Sequence, residues 1–172
     1  MIENENGGLF RSDDAGNSWK RVSEDRQIRQ RPWYFSHIIA DPKNPETIYA
    51  LNVGFYKSTD GGATWRKTLF ANENAGAVDL IMDPNNPRIL YASTWNVKRT
   101  PYSLSSGGDG SALWKSEDSG ETWSLTSNDN NIRQRAWYYT KVFVDPADEN
   151  KVYCPNVNFM VSSDGGKNFT SL

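Results

Sequence analysis

The stretch KSTDGGATW, residues 57–65, reads S-x-D-x-G-x-T-W from its second residue, and it decides how the whole chain is understood. The same frame returns as RSDDAGNSW (11–19), KSEDSGETW (115–123) and, more loosely, VSSDGGKNF (161–169). Asp and Gly between two short apolar or aromatic flanks are the signal for a tight β-hairpin. Gly supplies the positive φ that other residues resist, and the Ser and Asp side chains can bond nearby backbone N–H groups. The Thr that follows is expected to begin a returning strand, which the Trp anchors in a core. The repeated set is Ser12, Asp14, Gly16 and Trp19; Ser58, Asp60, Gly62 and Trp65; Ser116, Asp118, Gly120 and Trp123; and Ser162, Asp164, Gly166 and Phe169. Its role is read as structural.

The repeat extends beyond these turns. Asp14, Asp60, Asp118 and Asp164 are separated by 46, 58 and 46 residues. An offset of 104 lays IRQRPWYF (28–35) on IRQRAWYY (132–139) without a gap, and LNVGFYKSTDGG on PNVNFMVSSDGG. In each full unit a Tyr follows Asp-Pro by eight residues, as in Asp41/Tyr49, Asp83/Tyr91 and Asp145/Tyr153. Four-stranded units of this length are propeller blades, with a β-sandwich as the alternative. The expectation is an all-β chain, a β-propeller fragment of about three and a half four-stranded antiparallel blades. It divides into a half blade (7–23), a blade (28–69), a blade (76–126) with an inserted Ser/Gly loop (96–111), and a blade (132–172). Such a loop is read as functional or mobile. An open arc leaves blade faces unpaired, so the remaining blades of a longer protein or a second copy are expected partners.

Composition narrows the function classes. The 172 residues carry 19 basic and 21 acidic side chains, net −2, a balance that gives no support for a nucleic-acid partner. The single cysteine, Cys154, excludes an internal disulfide and a Cys-rich zinc site. No run of apolar residues is long enough for a transmembrane segment, and MIENENGGLF lacks the features of a signal peptide. No phosphate-binding or dinucleotide motif occurs, so no cofactor and no metal is expected. His37 is the only histidine, and its repeat counterpart is Lys141, which leaves a catalytic triad without support.

The S-x-D-x-G-x-T-W frame resembles the Asp-box, or BNR repeat, of sialidases and sortilin-type receptors. Together with RQRxWYY, DPxNPxxxYA and RTPYSLSSGG, it makes the chain similar to the bacterial propellers with a sortilin (VPS10) N-terminal-domain-like fold. Members of that group are often labelled glycosyl hydrolases. The resemblance implies an exported, extracytoplasmic protein with its hairpins away from the ligand face. Two departures stand out: no Arg-Ile-Pro motif of sialidases occurs, and one cysteine does not make the Cys-rich region of sortilin-type receptors.

Two groups are candidate site residues. The doubled Arg-Gln-Arg-x-Trp-Tyr contains Arg29, Arg31, Trp33 and Tyr34, then Arg133, Arg135, Trp137 and Tyr138. Arg forks bind carboxylates and aromatic faces stack on sugars, so these could form a rim for a carbohydrate or a protein or peptide ligand; alternatively they lock blade to blade. Glycoside hydrolysis needs two facing carboxylates, and Asp25, Asp79, Asp109 and Asp129 lie outside the hairpins and the Asp-Pro turns. Asp25 and Asp129 are repeat equivalents that also suit a plain turn role. The expected function is non-catalytic ligand binding. The alternative is a glycoside hydrolase of the sialidase or xyloglucanase kind.

Overall fold

Each S-x-D-x-G turn closes on itself through one repeated set of hydrogen bonds, in a computed structural model that describes residues 5–30, 35–133 and 141–172. In the second turn the Ser58 hydroxyl donates to Asp60 Oδ1 (2.7 Å) and accepts from the Gly62 N–H (2.9 Å). Asp60 in turn accepts the Thr64 N–H (2.9 Å). The first, third and fourth turns repeat this with Ser12/Asp14/Gly16/Ser18, Ser116/Asp118/Gly120/Thr122 and Ser162/Asp164/Gly166/Asn168. These donors hold the carboxylates below their usual range. For Asp14 and Asp60 the hydroxyls of Ser18 and Thr64 lead, and the result is about 2 in each. For Asp118 burial pushes upward and is outweighed by the Thr122 and Ser116 donors, which again leaves about 2. The Asn168 N–H and amide lower Asp164 further.

The strands run β1 (Leu9–Arg11), β2 (Lys20–Ser23), β3 (His37–Ala40), β4 (Ile48–Leu51), β5 (Phe55–Ser58) and β6 (Arg66–Leu69). They continue as β7 (Ala75–Met82), β8 (Leu90–Arg99), β9 (Leu104–Ser106), β10 (Ala112–Ser116) and β11 (Ser124–Ser127). The last are β12 (Phe143–Asp145), β13 (Asp148–Pro155), β14 (Phe159–Ser162) and β15 (Thr170–Ser171). Three antiparallel sheets are ordered β3-β4-β5-β6, β7-β8-β10-β11 and β12-β13-β14-β15, and β1-β2 forms a two-stranded sheet. This is the all-β propeller fragment that the repeat predicts. Two details differ from the sequence reading. The returning strands begin just after the aromatic residue, so each Trp belongs to its turn. The inserted segment is not a structureless loop: β8 runs on to Arg99 and β9 folds back on it, from Val97↔Ser106 to Arg99↔Leu104. Its polar residues are the exposed side of a hairpin, which is why they read as a loop.

The core lies between sheets, as flat apolar faces require. Leu9, Phe55 and Leu113, equivalent residues of β1, β5 and β10, are all buried. Leu9 clusters with Trp65, Phe55 with Trp123 (centroids 4.8 Å apart, edge-on) and Leu113 with Phe169, each time across a sheet boundary. The hairpin glycine fits the same seat. A Cβ on Gly62 would fall 2.5 Å from Leu9, and one on Gly120 would fall 3.2 Å from both Tyr49 and Leu90. Cations reinforce the boundaries: Arg11 meets Glu46 (2.8 Å), and the nearly buried Lys57 meets Glu121 (2.7 Å), which also holds Arg66.

Antiparallel order fixes what lies at each end. The hairpins share an end with the first-to-second-strand turns, shown by the Gly61, Ser119 and Gly165 N–H groups donating to the carbonyls of Glu46, Arg88 and Asn150. The opposite end carries the second-to-third-strand connections, including the β8–β9 hairpin, and the connectors between sheets.

Two outcomes follow from the turns. Gly120→Ala, strained by its φ of 79° and by both contacts, should lose about 1–3 kcal/mol in urea unfolding. Gly107→Ala, at φ 88° in open space, should lose less; equal losses would show that the seat is not tight. Because the folded Asp60 and Asp118 sit near 2, below the ordinary carboxylate value of about 3.9, their stabilisation is present above that value. It drains as pH falls toward 2, so Asp60→Asn and Asp118→Asn should flatten stability against pH in that window.

Candidate functional site

At the connector end, side-chain amides pin the chain. Asn52 Nδ2 donates to the carbonyls of Ile28 (3.1 Å) and Phe35 (2.8 Å), and its repeat equivalent Asn156 donates to Ile132 (3.1 Å). Each links a tight second-to-third-strand turn to the connector that carries the Arg-Gln-Arg motif. The third sheet has the β8–β9 hairpin there instead. Asn72 and Asn96 both donate to the backbone carbonyl of Asp109 (2.8 Å each), and the Gly107 N–H donates to the Asn96 carbonyl (2.9 Å). Arg133 Nη1 completes the clamp on the carbonyls of Gly108 (3.1 Å) and Ser111 (2.6 Å). The Ser/Gly segment, read as functional or mobile, is therefore tied down on three sides.

A cleft of about 480 Å³ opens beside this clamp, lined by Asp109, Ser111, Trp114, Asn128, Asn130 and Arg133. The Trp114 indole donates to Thr94 Oγ1 (2.8 Å), which fixes its ring. A smaller, partly open hollow of about 30 Å³ is lined by Thr94, Arg133, Lys141 and Cys154 among others. That suits a water rather than a ligand. Burial, helped by the Asp79 charge, pushes the Cys154 thiol up to about 12, so it is no nucleophile at neutral pH.

The predicted residues divide. Arg29 is buried and donates Nη2 to the Glu24 carbonyl (3.4 Å), a packing role. Arg133 holds the clamp and also lines the cleft. Arg31, Trp33, Tyr34, Arg135, Trp137 and Tyr138 lie outside the described residues. Asp129 caps a short 3-10 turn by accepting the Asn131 N–H, and Asp25, just ahead of the turn Gln27–Arg29, accepts the Gln27 N–H (2.8 Å each). Asp79, on β7, accepts the Val142 N–H (3.0 Å) and pairs with Lys141 (3.1 Å), joining the third sheet to the fourth near the first strands. The Asp109 carboxylate is exposed, with no side-chain partner among the described residues. The structure brings Asp109 and Arg133 to one cleft and, among the described residues, lines it with no second carboxylate. Sequence reasoning missed Asn52 and Asn156, although LNV and PNV kept register under the 104-residue offset. Asn72 and Asn96 carried no signal. Among the described residues no group of His, Cys, Asp and Glu could hold a metal ion, and no helix is long and apolar enough to cross a membrane.

The family model Sortilin-Vps10 (sortilin, neurotensin receptor 3) matches residues 7–159. The chain belongs to the Sortilin-Vps10 family. Among curated proteins, the xyloglucanase Xgh74A of Acetivibrio thermocellus is 31% identical over 137 residues, 69% of this chain and 15% of that protein. A sialidase of Bacteroides fragilis is 29% identical over 156 residues, 69% of this chain and 28% of its own length. The GH74 xyloglucanase from Xanthomonas campestris shares the fold, with a TM-score of 0.69 over 98% of this chain and 27% of that one, at 21% identity. An ancestral GH74 enzyme gives 0.67 over 98% of this chain and 22% of its own, at 18% identity. This Sortilin-Vps10 chain thus spans a small part of the xyloglucanases that it matches.

Proposed function

We propose that this part of the propeller binds carbohydrate, without catalysis of its own, in the cleft at the connector end. The observation that carries the reading is the cleft's make-up: a fixed Trp114, amides at Asn128 and Asn130, the Asp109 carboxylate and Arg133, beside the clamped backbone of 108–111. Sugar recognition combines a flat apolar face with several hydrogen-bonding groups, and a rigid site lowers the ordering cost of binding. The names of the relatives favour a β-glucan such as xyloglucan over a protein or peptide. A polysaccharide ligand places the working protein outside the cytoplasm.

The second reading is glycoside hydrolysis, favoured by the same relatives. It needs a partner carboxylate for Asp109, and Asp25, Asp79 and Asp129 are each engaged elsewhere. The 172-residue chain run through a gel containing xyloglucan separates the two. Retardation weakened about fivefold or more by Asn130→Ala or Asp109→Ala, with no reducing sugar released, is expected. No retardation would overturn the binding reading, and sugar release abolished by Asp109→Asn would establish the hydrolase instead.

A further inference from the structure

The β8–β9 hairpin is where the third sheet departs from its neighbours, and its inner half already serves the cleft. Asn96 holds the Asp109 carbonyl (2.8 Å), and the Gly107 N–H returns to the Asn96 carbonyl (2.9 Å). The outer half has fastenings of its own. Trp95 and Val97 are buried against Phe35 and Val53, at the connector end of the second sheet, and the Trp95 indole donates to Ser106 Oγ (3.0 Å). At the tip, Thr100 Oγ1 accepts the N–H groups of Tyr102 (3.3 Å) and Ser103 (3.0 Å). The Thr100 N–H donates to the Ser103 carbonyl (2.8 Å) and closes the turn. Tyr102 thus stands on a locked turn, 95% exposed. The tip does not lie at an open sheet boundary, because apolar clusters join the third sheet to the second on one side and to the fourth on the other.

The two faces of the hairpin serve different ends. Alternate strand residues share a face, so Trp95 and Val97 face the core while Asn96 and Lys98 share the face that meets Asp109. Ser105 lies opposite Lys98 on that face. From this track we infer that the hairpin is the outer part of the carbohydrate site. A sugar chain held over Trp114 continues along Lys98 and Ser105 and stacks on Tyr102. Lys98 and Ser105 offer an ammonium and a hydroxyl to sugar hydroxyls, and a Tyr on a fixed turn gives a flat face at low ordering cost. Three strand residues carry the chain roughly 10 Å from Asn96 to Arg99, with Tyr102 beyond. The ligand class is therefore an extended polysaccharide segment bound along its length, not a mono- or disaccharide. This inference rests on the carbohydrate reading of the cleft and adds to it a second aromatic face and a minimum length.

Calorimetric titration of the 172-residue chain with two xyloglucan oligosaccharides, one with a backbone of two sugars and one of eight, tests it. The longer ligand is expected to bind more tightly. Tyr102→Ala should weaken it about three- to tenfold, as for loss of one aromatic face, and leave the shorter one unchanged. Lys98→Ala should likewise weaken only the longer ligand, and Tyr102→Phe should keep the parent's preference. Asn130→Ala, in the cleft, should weaken both. Lys98 and Tyr102 are exposed, so thermal unfolding of these variants should match the parent. If Tyr102→Ala and Lys98→Ala weaken both lengths equally, or neither, the inference is overturned while the cleft reading stands. If the parent binds neither ligand, the cleft reading falls and this inference with it.

Discussion

The structure depends on one contact made repeatedly: an apolar residue of a third strand pressed against the hairpin of the next sheet. A sheet of four short strands cannot bury its own faces, and neighbours must do it. The hairpin makes that possible by presenting a glycine, where a side chain would collide, and an aromatic ring, which fills the remaining space. The Ser and Asp of the same turn keep it in shape without help from either neighbour. Local hydrogen bonding and packing between sheets thus agree on the same few residues, as a sequence that specifies one fold requires.

Fixing the hairpins at one end leaves the other end free to vary. The second-to-third-strand connection is a tight turn at Asn52 and Asn156 but a long hairpin between β8 and β10. That single expansion carries Tyr102, which is 95% exposed, beyond the sheet and brings Gly108 to Ser111 under Arg133. The cleft exists because the third sheet departs from its neighbours where departure does not disturb a seat. The boundaries do not tolerate change equally. Glu121 bridges Lys57 and Arg66, whereas Lys167 stands at the equivalent place in the last hairpin and Lys115 pairs with its own Glu117.

The fold was legible because its signals are local and recur. Ser, Asp and Gly at fixed spacing define a turn whatever surrounds it, and a Tyr eight residues after Asp-Pro keeps each sheet in register. The Trp positions were read one step too far into the strand, since bulk alone does not tell a turn residue from a strand residue. The β8–β9 hairpin was hidden by composition. Ser and Gly dominate it because it is exposed, and its pairing depends on Val97 and Ser106 lying opposite each other. The site was harder still. Arg29 and Arg133 share the IRQR frame, yet one donates to the Glu24 carbonyl close by in sequence and the other clamps the hairpin. Arg133 reaches Gly108 and Ser111 of the segment 96–111, a contact that its own neighbours in sequence do not reveal. Asp25 and Asp129 were readable as turn residues from their equivalence. The engagement of Asp79 by Lys141, 62 residues away, was not readable.

The central claim is that stability resides at the hairpin end and ligand recognition at the connector end. Backbone amide spectra of the ¹⁵N-labelled chain, recorded while a xyloglucan oligosaccharide is titrated, test it most directly. Progressive shifts at Gly108, Gly110, Ser111, Asn128 and Asn130, with Gly62, Gly120 and Gly166 unmoved, are the predicted result. Shifts centred on the hairpin glycines, with the Arg133 clamp silent, would contradict the account.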